Sequence, residues 1–87
     1  MNLATKANGR PMIDRIGKNV RHYRRLKELS QADLARQVGC SAQHIHAIET
    51  GVTPGSVIKL CAICDALNID FAILMSEPVW TGEEDDE

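Results

Sequence analysis

Aromatic residues are scarce in this 87-residue chain: one Trp, one Tyr and one Phe. Long apolar runs are missing too. A membrane span needs about 20 consecutive apolar residues, and no stretch approaches that, so no membrane role is expected. The first residues carry no apolar core behind their basic residues, so no secretory signal is expected either. Cysteine is present three times, an odd count that closes no disulfide framework and fits a reducing, cytoplasmic setting. Cys61-(x2)-Cys64 has metal-site spacing, but a structural zinc takes four ligands, and one pair is more economically read as core filling. There is no Gly-rich phosphate loop, and His22, His44 and His46 fall on helical faces with no cavity expected around them. The chain is therefore not expected to be an enzyme or to carry a cofactor or metal.

What is present is a polarised charge pattern. The formal net charge of −2 conceals two unlike halves. Residues 1–51 hold nine Lys/Arg against four acids, and residues 52–87 hold one Lys against eight acids. A basic half can face an anionic partner while the acidic half faces away.

Residues 1–12 lack apolar periodicity and read as a mobile arm, in which Gly9-Arg10-Pro11 matches the core of a minor-groove hook in three residues only. Ile13, Ile16, Val20 and Tyr23 then recur at helical spacing, predicting a first helix from Ile13 to Lys27, with Leu29 anchoring the connection. Ser30 is an N-cap for a second helix, with Asp33 in its first turn and Ala32, Leu34, Ala35 and Val38 expected inside. Gly39 ends that helix. Only Gly39, Cys40 and Ser41 separate it from a third helix, Ala42 to about Thr50, with Ile45 and Ile48 pointing inward and Gly51 as the stop. Two short helices joined by so tight a turn can present the second one to the DNA major groove. Ser56 caps a fourth helix carrying Leu60, Ile63, Cys64 and Leu67, and Asp70 caps a fifth from Phe71 to Met75. The fold class is all-α, five helices over residues 13–76, followed by an acidic tail over 77–87, of which Thr81 to Glu87 is expected to be disordered.

The residues that organise these helices resemble a known family. Ile16-Gly17-(x2)-Val20-(x3)-Arg24, then Leu29-Ser30-Gln31-(x2)-Leu34-Ala35, then Gly39-Cys40-Ser41-(x3)-Ile45-(x2)-Ile48-Glu49-(x)-Gly51 are similar to the Cro and phage-repressor helix-turn-helix family, also called XRE-like or lambda repressor-like. Leu60-(x2)-Ile63-Cys64-(x)-Ala66-Leu67-(x)-Ile69-(x4)-Leu74 is similar to that family's fourth and fifth helices. The resemblance implies a regulator of transcription that binds double-stranded DNA as a homodimer on a palindromic operator. It places Ala42, Gln43, His46 and Ala47 at base-reading positions, Gln31 and His44 at phosphate positions, and Arg24 and Glu49 in an ion pair that orients the third helix.

Physical chemistry supports part of this independently. Positions 42, 43, 46 and 47 share the helix face away from Ile45 and Ile48. Gln can bond adenine bidentately, and a small apolar side chain can touch a thymine methyl. Ser30 and Gln31 turn the amide end of the second helix outward, where an anion is favoured. Arg36, with Arg21 and Arg25 of the first helix, adds attraction for phosphate.

Three departures from the family's pattern stand out. The third helix has no Arg or Lys, the commonest guanine readers. The loop after Gly51, Val52-Thr53-Pro54, lacks the usual basic residues, so phosphate contacts there would need backbone amides. Ala72 and Ile73 are apolar where charge is common; with Ile58, Phe71, Val79 and Trp80 they predict a patch covered by a second copy, unless Trp80 folds back onto the fourth helix. The expected function is a DNA-binding repressor. The rival is an antitoxin-like module that binds a protein partner as well as its own operator.

Overall fold

The computed structural model describes residues 9–78. Among them are five helices in chain order: α1 Arg10–Leu26, α2 Gln31–Val38, α3 Ala42–Glu49, α4 Val57–Leu67 and α5 Phe71–Met75. The expected all-α architecture stands. Helix α2 packs on α3 and α4, while α1 packs on α3 and α5. One core joins them, built from Ile16 and Val20 of α1, Leu34 and Ala35 of α2, Ile45 and Ile48 of α3, Leu60, Ile63, Cys64 and Leu67 of α4, and Leu74 of α5. Burial pushes the Cys64 thiol above its usual range, with Cys61, Asp65 and Asp70 adding to the effect, which fits a core-filling side chain. Leu29, half-buried, packs against this core as expected.

Two expectations change. The arm does not extend to residue 12, because α1 starts at Arg10. Pro11 lies in the first turn, where its missing N–H breaks no helical bond and its fixed φ suits the helix. Arg10 then reaches the carbonyl of Gly51 and pairs with Asp14, so Arg10-Pro11 belongs to the folded body rather than to a groove-binding hook. Residues 1–8 and 79–87, including most of the expected acidic tail, Val79 and Trp80, lie outside the described residues. Ala32 is exposed, not inward. The inward stripe of α2 is instead residues 31, 34, 35 and 38, at spacing i, i+3, i+4 and i+7, and Gln31 fills its first position.

Local chemistry sets the helix ends. The Ser30 hydroxyl accepts from the Asp33 amide at 2.9 Å and the Asp33 carboxylate accepts from the Ser30 amide at 3.0 Å, a reciprocal capping box. Gly39 ends α2 at φ 85°, a left-handed conformation that costs a residue without Cβ little. The Lys59 ammonium adds a bond to the Gly39 carbonyl at 3.1 Å. Ser41 and Ser56 cap α3 and α4 through their hydroxyls, whereas Asp70 occupies the N-cap position of α5 without a side-chain bond.

The capping box has a pH signature. The Ser30 amide, then the Ser30 hydroxyl, and to a lesser degree Arg36 hold the Asp33 carboxyl below its ordinary value of 3.8. A depressed carboxyl stabilises the fold above its unfolded value, and that contribution is lost as pH falls through the folded value. Asp33→Asn is expected to lower Tm relative to the parent at about pH 5 and above, with the gap closing below about pH 4. Thermal melts of both proteins from neutral to acid pH measure this.

Helix α5, only five residues long, is held by side chains of α1. The fully buried Asn19 donates from Nδ2 to the carbonyls of Leu74 at 2.8 Å, Ser76 at 2.9 Å and Ile73 at 3.3 Å. Arg15 reaches the Met75 carbonyl at 3.4 Å and the Glu77 carboxylate at 2.9 Å, so the folded domain extends into the segment assigned to the tail. The available signal was a polar residue beside Val20 on the inward stripe of α1, a position the apolar pattern alone does not single out. Asn19→Ala is expected to cost about 1–3 kcal/mol in denaturant unfolding, because buried carbonyls lose their donor. Asn19→Asp is expected to cost more, since a carboxylate would face three carbonyl oxygens.

Candidate nucleic-acid interface

The turn between α2 and α3 holds Ile45 and Ile48 in the core, which leaves one face of α3 outward. Gln43 and His46 are exposed on it, and Ala42 and Ala47 are half-buried. Gln43, His46 and Ala47 share the outward part of this two-turn helix, whereas Ala42 packs against the core, a position that corrects its expected place on the reading face. His44 is half-buried, and its backbone amide is capped by the Ser41 hydroxyl at 3.1 Å.

Behind that face lies a buried charge pair. Arg24 donates from Nε to Glu49 Oε2 at 2.6 Å and from Nη2 to Oε1 at 3.1 Å. Its third donor, Nη1, reaches the Leu29 carbonyl at 2.7 Å. The two side chains are only 10% and 1% exposed, so this is an interior pair that ties α1 to the end of α3. The expected pairing of Arg24 with Glu49 is thus formed, and it holds the linker before α2 as well. A bidentate geometry makes the link directional, which suits orientation more than net stability.

Gln31 extends the network outward. Its Nε2 donates to Glu49 Oε1 at 3.0 Å and lies 3.3 Å from Nδ1 of His46. The expectation that Gln31 holds phosphate needs correction in one respect. The side-chain nitrogen donates to Glu49 and stands against the His46 ring, and the remaining Oε1 only accepts, so the amide faces protein groups rather than a phosphate while this network stands. An anion at this end of α2 would be met by the backbone amides of the first turn, two of whose positions already belong to the capping box. Arg36 is similarly engaged. It pairs with Asp33 on the surface, and a phosphate would have to compete with that carboxylate.

Arg21 and Arg25 stand where helix α1 borders this face. With Arg24, Gln31, His46, Glu49 and Thr50 they line an open groove of about 350 Å³. The groove brings three of the expected phosphate residues, Arg21, Arg25 and Gln31, beside the base-reading candidate His46. The loop after α3 offers less: the Val52 and Thr53 amides both donate to the Ala47 carbonyl, at 2.9 and 3.3 Å, and are committed to ending the helix. Among the candidate dimer residues, Ile58, Phe71 and Ile73 are exposed, and with Ala72 the last two make a run of three exposed apolar residues on α5.

Residues 15–72 match a family described as a helix-turn-helix domain. The chain belongs to this family. The helix-turn-helix fold is also seen in the crystal structure of the restriction-modification controller protein C.AhdI from Aeromonas hydrophila. That chain is similar at a TM-score of 0.68 and 27% identity, over 71% of this chain and 94% of that one. Antitoxin PezA from Streptococcus pneumoniae serotype 4 (strain ATCC BAA-334 / TIGR4) is 31% identical over 62 residues. The match takes in 71% of this chain but 39% of that relative, so the helix-turn-helix protein spans about two fifths of the antitoxin's length. The resemblance read from the motifs therefore holds: this chain carries a helix-turn-helix DNA-binding domain. No helix among the described residues is long and apolar enough to cross a membrane.

Proposed function

We propose that the protein represses transcription by binding a palindromic operator as a homodimer, in the cytoplasm and without catalytic activity. The observation that carries this reading is the outward face of α3, where Gln43 and His46 are displayed on a helix oriented by the buried Arg24–Glu49 pair. In the dimer, two copies of α3 would enter successive major grooves about 34 Å apart. The exposed Phe71-Ala72-Ile73 run supports a self-complementary contact through α5, with Ile58 adding apolar surface on α4. Arg21 and Arg25 supply attraction for phosphate that α3, lacking Arg and Lys, does not.

Selection of bound sequences from a random DNA pool tests this. The expected result is a palindrome with half-sites about 10 base pairs apart centre to centre. Recovery of no sequence would sink the operator reading. Gln43→Ala is expected to lose about 1–3 kcal/mol of discrimination at one position of each half-site, measured by competition binding against single-base operator variants.

The likeness to an antitoxin favours a second reading, in which the exposed α5 surface meets a different protein and operator binding serves autoregulation. Co-purification of a stoichiometric second protein that masks α5 would select it; a free homodimer binding the operator with full affinity would count against it.

A further inference from the structure

Gln31 and His46 join two functions that the base-reading and phosphate assignments keep apart. We propose that His46 reads its base pair as a hydrogen-bond donor through Nε2, and that Gln31 is the positioning residue that fixes this tautomer. The proposal rests on the operator-binding reading above.

The Glu49 carboxylate, paired with Arg24, can only accept hydrogen bonds. The Gln31 atom that meets it at 3.0 Å must then be the amide nitrogen, which settles the orientation of the Gln31 side chain. That nitrogen has a second hydrogen, and it lies 3.3 Å from His46 Nδ1. A donor on Gln31 requires Nδ1 to accept. A neutral imidazole whose Nδ1 accepts carries its proton on Nε2. His46 is an exposed residue of α3, and its one remaining functional atom is then an N–H donor.

The consequence is a defined readout. Guanine presents two acceptors, N7 and O6, on its major-groove edge, whereas cytosine presents the N4 amino donor. A ring locked as an Nε2–H donor matches guanine and is mismatched to cytosine. With Nδ1 protonated instead, Nε2 would become an acceptor and the preference would reverse. The helix lacks Arg and Lys, so a donor on this histidine stands beside the Gln43 amide as one of the few its outward face can offer guanine. Its support is relayed from Arg24 through Glu49 and Gln31, and none of these three needs to touch a base.

Two measurements test the proposal, and they fail separately. The first is nitrogen-15 NMR of the imidazole in the free, full-length protein at neutral pH. His46 is expected as the Nε2–H tautomer with unprotonated Nδ1, and Gln31→Leu is expected to shift the Nδ1 resonance as that atom becomes solvated. Gln31→Asn, whose shorter amide cannot span both partners, should act alike and guards against a folding defect of the Leu variant. A protonated Nδ1 in the parent, or resonances unchanged by both variants, overturns the proposal. The second is selection from a random DNA pool. The position whose preference His46→Ala abolishes is expected to favour guanine over cytosine by about fivefold to tenfold, and Gln31→Leu to reduce that ratio while other positions keep theirs. Cytosine at that position overturns the donor assignment. If the tautomer is as stated but no DNA sequence is enriched, the operator reading fails and the base-reading role falls with it, while the network stands.

Discussion

Glu49→Ala is expected to destabilise the domain by about 3–5 kcal/mol, the range for removing one partner of a buried ion pair. The cost comes mainly from what is left behind. Arg24 is nearly enclosed and keeps its bond to the Leu29 carbonyl, but two of its donors lose their acceptor in a place water barely reaches. Domains of this size are stable by only about 5–15 kcal/mol, so the loss should be plain in chemical denaturation. The informative control is the double substitution Arg24→Met with Glu49→Leu. Replacing a buried pair by apolar groups of similar volume is often neutral or stabilising, so stability should largely return. Operator discrimination should not, because Gln31 would have lost the acceptor that orients its amide. A double variant that binds its operator with parental specificity would show that the pair is structural only.

Gly17→Ala should produce the second large effect, on a different principle. A Cβ at Gly17 would stand 2.5 Å from the Ile48 carbonyl oxygen and 2.7 Å from that of Glu49. Both obstacles are backbone, so relief requires α1 and α3 to move apart rather than a side chain to rotate. Alanine gains about 1 kcal/mol over glycine in a helix interior, but overpacking costs about 1–3 kcal/mol, so net destabilisation is expected. The larger consequence is positional. The carbonyls in the way belong to the C-terminal part of α3, and displacing them moves the outward face against α2 and the Arg21–Arg25 groove. Operator affinity should therefore fall by more than the stability loss accounts for at temperatures where the variant is fully folded. Equal binding by folded parent and variant would show that α3 can shift without penalty.

The helices and the reading face were legible because local rules govern them. Ser30, Ser41 and Ser56 announce helix starts, Gly39 and Gly51 announce stops, and the apolar spacing of Ile45 and Ile48 places Gln43 and His46 outward. Arg24 and Glu49 were assigned through the family resemblance, since 25 positions separate them and no local pattern pairs them. Asn19 escaped notice because its partners are backbone carbonyls 54 to 57 residues away, to which a side-chain pattern is blind. The start of α1 was not legible because residues 10–12 lack apolar periodicity; Pro11, in the first turn, is a helix initiator.

By itself, the amino-acid sequence determined the five-helix order, the three-residue turn, the polarised charge and the identity of the residues on the outward face of α3. Each depends on periodicity or on a cap within a few residues. Only the tertiary structure decided how those residues are used. It turned Gln31 inward onto Glu49, carried Arg10 to the end of α3 and clamped α5 through Asn19. These outcomes follow from which donors and acceptors come within about 3 Å when the helices pack, a quantity that no spacing along the chain contains.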